Sequence, residues 1–314
     1  MNKEYLQLLY QQILGRPADS EGLANYQQQL DNGTLSHAQV MQALLNSDEY
    51  QQTQPFIDDS VLEKITDLNR EDYEQNWQAI FNGEKSLIIG QQQYGQQHKQ
   101  RFFELFNALV FLTKNNSAPK IIEFGISEFS ALYKQINPQT QLDTVDKPTS
   151  NDYIGFKASV CQQISQCQQH YEIDLNEPSA LGKSLKQNYY DIVVFTEILE
   201  HLVVNPTELL TELINLLNPK GYLYLTTPNF YKQENLQLIK NQENPQHLYP
   251  GSKANWDSHY HHREYCYKEL YQTIPQAGGQ IRYFYYSDCW DENKNLPKQQ
   301  RGNLVFVIQK RLTS

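Results

Sequence analysis

The chain has 314 residues and a formal net charge of −10. That length suffices for one large domain plus a small one. The acidic balance excludes a general nucleic-acid or anionic-membrane binder, since both want basic patches. No apolar run approaches the ~20 residues of a membrane helix. Cys161, Cys167, Cys266 and Cys289 show no Cys-x-x-Cys and no zinc-ligand spacing, and read as free thiols in a reducing compartment. Met1-Asn2-Lys3-Glu4-Tyr5 does not read as a signal peptide, so the expected localisation is cytoplasmic.

In chain order, Tyr5, Leu6, Leu8, Leu9 and Ile13 follow helical spacing. Gly15-Arg16-Pro17-Ala18-Asp19-Ser20 breaks that helix. Asp19 or Ser20 caps a second one carrying Leu23, Tyr26 and Leu30. Asp31-Asn32-Gly33 is a turn, Ser36 caps a third helix through Val40, Met41, Leu44 and Leu45, and Ser47 caps a last short one. Residues 1–52 therefore read as a helical accessory domain. Residues 53–117 read as a polar helical connector, marked by Pro55 and Asp58-Asp59. Its end, Arg101 to Leu112, is an amphipathic lead-in helix expected to pack on a sheet.

From residue 118 onward strands alternate with helices. Ile121 to Phe124, Leu142 to Val145, Tyr171 to Ile173 and Ile192 to Phe195 read as four strands. Pro206 to Leu217 is a helix opened by Asn205 as cap, with Pro206 at the first helical position. Leu217-Asn218-Pro219-Lys220-Gly221 reads as a helix end and a Pro-x-Gly turn before a fifth strand, Tyr222 to Leu225. Tyr267 to Ile274 is a helix. Ile281 to Tyr286 and Leu304 to Ile308 form an antiparallel hairpin. This alternation predicts an α/β domain over 118–314 with a mostly parallel sheet, preceded by the small all-α domain.

In an open α/β sheet, ligands sit beyond the carboxyl ends of the strands. Four polar positions fall there: Glu123-Phe124-Gly125 after the first strand, Asp146 after the second, Asp174 after the third and Thr196-Glu197 after the fourth. That set suits a nucleoside cofactor. An acid after the second strand accepts both ribose hydroxyls, a polar group after the third meets the adenine amine, and a tight turn after the first admits backbone to the ligand. Residues 229–265 form an inserted lid rich in aromatics and histidines, and such long loops are usually functional. A rival reading makes Asp257, His259, His261 and His262 a metal site; the site set adopted here has no metal ligand.

The run Thr196-Glu197-Ile198-Leu199-Glu200-His201-Leu202, followed by Asn218-Pro219-Lys220-Gly221-Tyr222, resembles the middle of a class I S-adenosylmethionine (SAM)-dependent methyltransferase of the small-molecule or glycan type. The resemblance covers roughly residues 90–310. It implies a Rossmann-like methyltransferase sheet with an antiparallel last strand and SAM as cofactor. It implies cofactor contacts from Glu123, Phe124, Gly125, Ser127, Asp146, Lys147, Asp174, Leu175, Thr196 and Glu197. It implies His201 as a catalytic base one helical turn from Glu197, with Glu200 exposed or capping. His262-Arg263-Glu264-Tyr265 resembles a stretch of glycan-cluster methyltransferases and implies Tyr231, His262, Arg263 and Tyr265 as acceptor contacts. The family's Glu-x-Gly-x-Gly-x-Gly is altered here, with Ser127 and Phe129 standing where it has glycines.

Leu14-Gly15-Arg16-Pro17-Ala18-Asp19 with Gly22-Leu23, Tyr26, Leu30, Gly33 and Asn46-Ser47-x-Glu49-Tyr50 resembles a bacterial helical accessory domain of unknown function. It implies no chemistry, and makes residues 1–52 the expected surface for a protein partner. The expected activity is O-methylation of a saccharide or small polar metabolite in glycan biosynthesis. The alternative is a non-catalytic methyltransferase-fold binding module, motivated by the altered glycines. A nicotinamide dehydrogenase is disfavoured by the lack of Gly-x-Gly-x-x-Gly after the first strand.

Overall fold

The computed structural model describes residues 2–14, 16–45, 47, 49, 67–81, 91–148, 162–163, 165–246, 260–290 and 296–311. Asn46, Tyr50, Pro55, Asp58-Asp59, Cys161, Asp257 and His259 lie outside them. The chain divides into two compact units, Met1–Phe56 and Ile57–Ser314.

The first unit holds α1 (Asn2–Leu9), a π-turn (Tyr10–Leu14), α2 (Ser20–Asp31) and α3 (His37–Leu45). Asp19 caps α2 by accepting the Gly22 N–H at 2.7 Å, and its other oxygen takes Arg16 at 3.2 Å. That commits the carboxylate to the helix start rather than to a cation. Ser36 and Gln39 cap α3 reciprocally, as in a capping box. Leu6, Leu9, Tyr10, Leu14, Val40 and Leu44 form the unit's own small core.

Among the described residues, the second unit opens with α4 (Arg70–Phe81) and α5 (Gln91–Thr113). It continues through β1 (Lys120–Phe124), a 3-10 turn (Glu128–Ala131), α6 (Leu132–Ile136), β2 (Gln141–Asp146), β3 (Gln169–Glu172) and α7 (Ser179–Ser184). Next come β4 (Tyr190–Thr196), a 3-10 turn (Leu199–His201), α8 (Pro206–Leu216), β5 (Leu217–Pro228) and α9 (Gln233–Lys240). It closes with α10 (Tyr267–Gln276), β6 (Gly279–Ser287) and β7 (Asn303–Lys310). The seven strands lie in the order β3-β2-β1-β4-β5-β7-β6. β1 to β5 are parallel, while β7 runs antiparallel to both β5 and β6.

The sheet is apolar on both faces because helices cover both. Side chains alternate along each strand. Ile122, Phe124, Val193, Phe195, Leu223 and Leu225 meet Leu209, Leu213 and Ile214 of α8 and Leu270 and Ile274 of α10. Ile121, Ile192, Val194, Tyr224, Val305 and Val307 meet Tyr73 and Trp77 of α4 and Phe102, Leu105, Phe106 and Leu109 of α5. Each fully buried leucine contributes roughly 2 kcal/mol.

Two elements differ from expectation. β5 starts at Leu217, because Leu217 already pairs with Tyr190 and the Pro219–Gly221 turn becomes an irregularity inside the ladder. A side chain at Gly221 would stand 2.7 Å from the Tyr190 carbonyl, so the close approach requires glycine. β3 sits at Gln169–Glu172 rather than Tyr171–Ile173; as an edge strand it carries little apolar pattern. Among the described residues no helix is long and apolar enough to cross a membrane, and Cys167, Cys266 and Cys289 are thiols.

Candidate active site

The strand order reverses between β1 and β4, and Phe124 lies in register with Phe195. Their carboxyl ends therefore open a crevice side by side, where ligands of such sheets bind. Gly125 makes the turn out of β1 at φ +72°, a conformation natural to glycine, and its N–H donates to the Val145 carbonyl at 2.9 Å. An added Cβ would also stand 3.3 Å from Ile198. Ser127 then caps the 3-10 turn. Its hydroxyl accepts the Phe129 N–H at 3.2 Å, while the Ser130 hydroxyl accepts the Ser127 N–H at 3.2 Å.

Phe129 turns away from the crevice. It is fully buried and lies flat on Trp77, with ring centroids 3.9 Å apart, and it also packs on Phe102. The bulk that replaces the family's last glycine thus goes into the core between α4, α5 and the sheet. Gly95 of α5 makes room for it, since a Cβ there would stand 2.4 Å from the Phe129 ring.

Glu123 is not presented to the crevice. It is 4% exposed, and its Oε1 accepts the Tyr133 hydroxyl at 3.2 Å beneath the loop. Burial pushes its carboxyl up to about 8, against the pull of Ser130 and Tyr133. Phe124 is likewise core, packed on Phe195. Asp146 closes β2, and its Oδ1 accepts the N–H of Lys147, the next residue, at 2.7 Å. Asp174 lies two residues beyond the end of β3 and accepts the backbone and side-chain N–H groups of Asn176, both at 3.0 Å. Leu175 is packed in the core.

At the end of β4, Thr196 accepts Arg101 Nη1 at 3.1 Å. Arg101 is buried, its Nε donates to His98 Nδ1, and its guanidinium lies over the Trp290 ring. Burial, then the Arg101 charge, hold the His98 pKa down at about 3. Arg101 and His98 have no motif; Arg101 reads only as the start of the helix leading into the sheet. Nearby, burial raises the Glu104 carboxyl to about 7 despite its bond from Ser287.

Glu197 follows at φ +55°, a strained conformation for a side chain of its kind. Its Oε1 accepts the Thr226 hydroxyl at 2.6 Å and Asn303 Nδ2 at 2.9 Å, and its N–H donates to the Thr226 carbonyl. These bonds hold the bend. Glu197 and His201 are consequently not one helical turn apart, since only Leu199–His201 coils, as a 3-10 turn. Glu200 is neither exposed nor capping. It is 1% exposed, and its Oε2 accepts the Thr227 hydroxyl at 2.9 Å. Burial, then the charge of Glu197, push its pKa well up. The Glu200 carbonyl accepts the N–H groups of His262 and Arg263, docking the far end of the inserted segment against β4.

That docking brings His261 to His201, with ring centroids 4.8 Å apart. His201 Nδ1 lies 3.0 Å from the Tyr260 carbonyl and His261 Nδ1 lies 3.0 Å from Glu264 Oε1. Lys232 and Asn235, at the start of α9, donate to Glu264 at 2.6 and 2.7 Å. Burial alone would raise the Glu264 carboxyl, but His261, Lys232 and Asn235 hold it down at about 2.

The expected acceptor residues separate. Tyr231 is 49% exposed and edge-on to Phe230. His262 meets Tyr260. Arg263 pairs with Glu269 on α10, outside the crevice. Tyr265 is 3% exposed in the core, bridged to Asn229. Arg263 and Tyr265 thus have structural partners, and the residues that meet His201 and its neighbour are His261, just before the His-Arg-Glu-Tyr stretch, and Glu264 within it.

Among solved structures, the plantazolicin methyltransferase BamL in complex with a triazolic desmethylPZN analogue and S-adenosylhomocysteine is 13% identical, covering 81% of this chain and 99% of its own, at a TM-score of 0.46. The Burkholderia thailandensis 1,6-didemethyltoxoflavin-N1-methyltransferase, with bound 1,6-didemethyltoxoflavin and S-adenosylhomocysteine, is 13% identical, covering 82% and 93%, at 0.44. A SAM-dependent methyltransferase from Methanosarcina mazei is 14% identical, covering 63% and 95%, at 0.42. No curated protein matches the chain significantly. Residues 1–54 match a family model described as a domain of unknown function, DUF4214. Residues 96–258, over half of the chain and inclusive of the crevice, match the family model of a methyltransferase domain, and the chain belongs to that family.

Proposed function

We propose that the protein is a SAM-dependent methyltransferase that O-methylates a saccharide or small polar metabolite. The observation that carries this reading is the crevice at the β1/β4 reversal, walled by the Gly125 turn, Asp146 and Thr196, with His201 beyond Glu197. When bound, SAM would supply an electrophilic methyl on its sulfonium to the acceptor oxygen, whose proton would pass to His201 or to solvent. The backbone turn at Gly125 admits the amino-acid end of the cofactor. Asp146 accepts the ribose hydroxyls, and Asp174 stands on the adenine side. Arg101 and Asn303 fix Thr196 and Glu197, so this wall is set before ligand arrives. His201 stands on the acceptor side. The inserted segment, with Tyr231 and His262, shapes the acceptor site.

The burial of Phe129 against Trp77 supports the catalytic reading over a non-catalytic module, since its ring packs in the core. Residues 1–52 are proposed as the docking unit for a protein partner, in a cytoplasmic enzyme. Calorimetric titration with SAM and S-adenosylhomocysteine tests the reading. Micromolar or tighter binding of both is expected. No heat and no thermal stabilisation at millimolar ligand would favour a non-catalytic module.

A further inference from the structure

Glu200, His201 and His261 come from two segments some 60 residues apart, yet their ligand atoms all lie within 4.8 Å of one another. His201 Nε2 is 3.8 Å from Glu200 Oε1. Around an ion at ~2.0–2.1 Å from each donor, ligand atoms stand roughly 3.4 Å apart. The widest pair therefore needs to draw together by about 1.4 Å at most.

The surroundings of the three are those of a ligand set rather than of a packing cluster. Metal-binding histidines characteristically donate their other ring N–H to a carbonyl or carboxylate, which fixes the tautomer and aims the ring. Both histidines here have that partner: the Tyr260 carbonyl on His201 Nδ1, and Glu264 on His261 Nδ1. Glu264 is in turn fixed by Lys232 and Asn235. Glu200 is held from its other oxygen by Thr227, which leaves Oε1 on the histidine side.

We propose that Glu200, His201 and His261 bind one divalent first-row transition-metal ion through Glu200 Oε1 and the two imidazole Nε2 atoms. Two imidazoles and one carboxylate favour such an ion over magnesium or calcium, which prefer all-oxygen sets. Three protein donors leave coordination positions open, as in catalytic rather than structural sites. The ion's role, though not its binding, rests on the methyltransferase reading: it would hold an acceptor oxygen as a Lewis acid and ease loss of its proton to solvent before methyl transfer. His201 then acts on the acceptor as a ligand rather than as a base.

The test is titration of the chelator-stripped full-length protein with Co2+, followed by calorimetry and visible absorption, with SAM titrated in parallel. One Co2+ per chain is expected, at micromolar or tighter affinity, with the d–d bands of a four- or five-coordinate ion and displacement by Zn2+. His261→Ala should abolish the band, and Glu264→Gln should weaken binding roughly 10–100-fold. His261 is partly exposed, so that variant is expected to fold. If His261→Ala does unfold, Glu264→Gln and His201→Ala carry the same test. Absence of stoichiometric Co2+ and Zn2+ binding, or binding unchanged in every folded variant, overturns the proposal. SAM binding without metal overturns only this site; metal binding without SAM overturns only the methyltransferase reading.

Discussion

The ring of Phe129 lies on the ring of Trp77 with planes 5° from parallel. The residue that breaks the glycine pattern is thus part of what fastens α4 to the loop after β1. Phe129→Gly, which restores the family's residue, should destabilise the protein by about 3–5 kcal/mol, the range for emptying a buried aromatic site. It should not tighten SAM binding. Denaturant unfolding and calorimetry check both; tighter binding with unchanged stability would mean that the ring obstructs the crevice after all.

Asp146→Ala should raise the SAM dissociation constant at least about tenfold, corresponding to roughly 1.4 kcal/mol for lost ribose hydrogen bonds. Unchanged affinity would remove Asp146 from the ribose site. His201→Ala should lower turnover while leaving SAM affinity alone, and full activity would make His201 a packing residue.

Arg101→Lys keeps the charge but loses the planar fork that reaches His98 and Thr196 together. A loss of about 1.5–3 kcal/mol is expected, read as a shift in the unfolding midpoint. A neutral result would show that Thr196 needs no support from α5.

Glu123 gives the fold a pH dependence. Its pKa is 4.5 in ordinary surroundings and about 8 when folded, so the folded state holds a proton that the unfolded state releases. Stability from this group is full below about 4.5 and falls as pH rises towards 8. The total is of order 5 kcal/mol. Glu123→Gln should flatten that slope. Melting curves from pH 5 to about 8 measure it, and an identical slope in the variant would assign it to other groups.

The sheet was readable in the sequence because strands buried on both faces are short, nearly continuous apolar runs, as in Tyr190–Thr196. The strand-end positions Gly125, Asp146 and Thr196 were readable from the same pattern. The directions of side chains were not. Phe129 has no local signal for pointing into the aromatic cluster, since Trp77 and Phe102 lie in helices far upstream. Glu200 reads as polar and exposed until Thr227 and the 260–263 backbone close over it. Arg263 and Tyr265 carried the motif, but Glu269 and the core claim them. The partners of His201 come from a segment about sixty residues away, and no spacing rule connects them.

The Glu200 carbonyl takes two backbone N–H groups, those of His262 and Arg263, and Asn229 bridges Tyr265 at the root of the same segment. Those attachments use main chain, which every amino acid supplies. Lys232 and Asn235 add side-chain bonds to Glu264, so among the described residues of this segment the exposed ones, such as Tyr231 and Ile239, are those open to replacement without shifting His201. Changes in acceptor preference would then be engineered in that stretch, with the wall beside it left as it is.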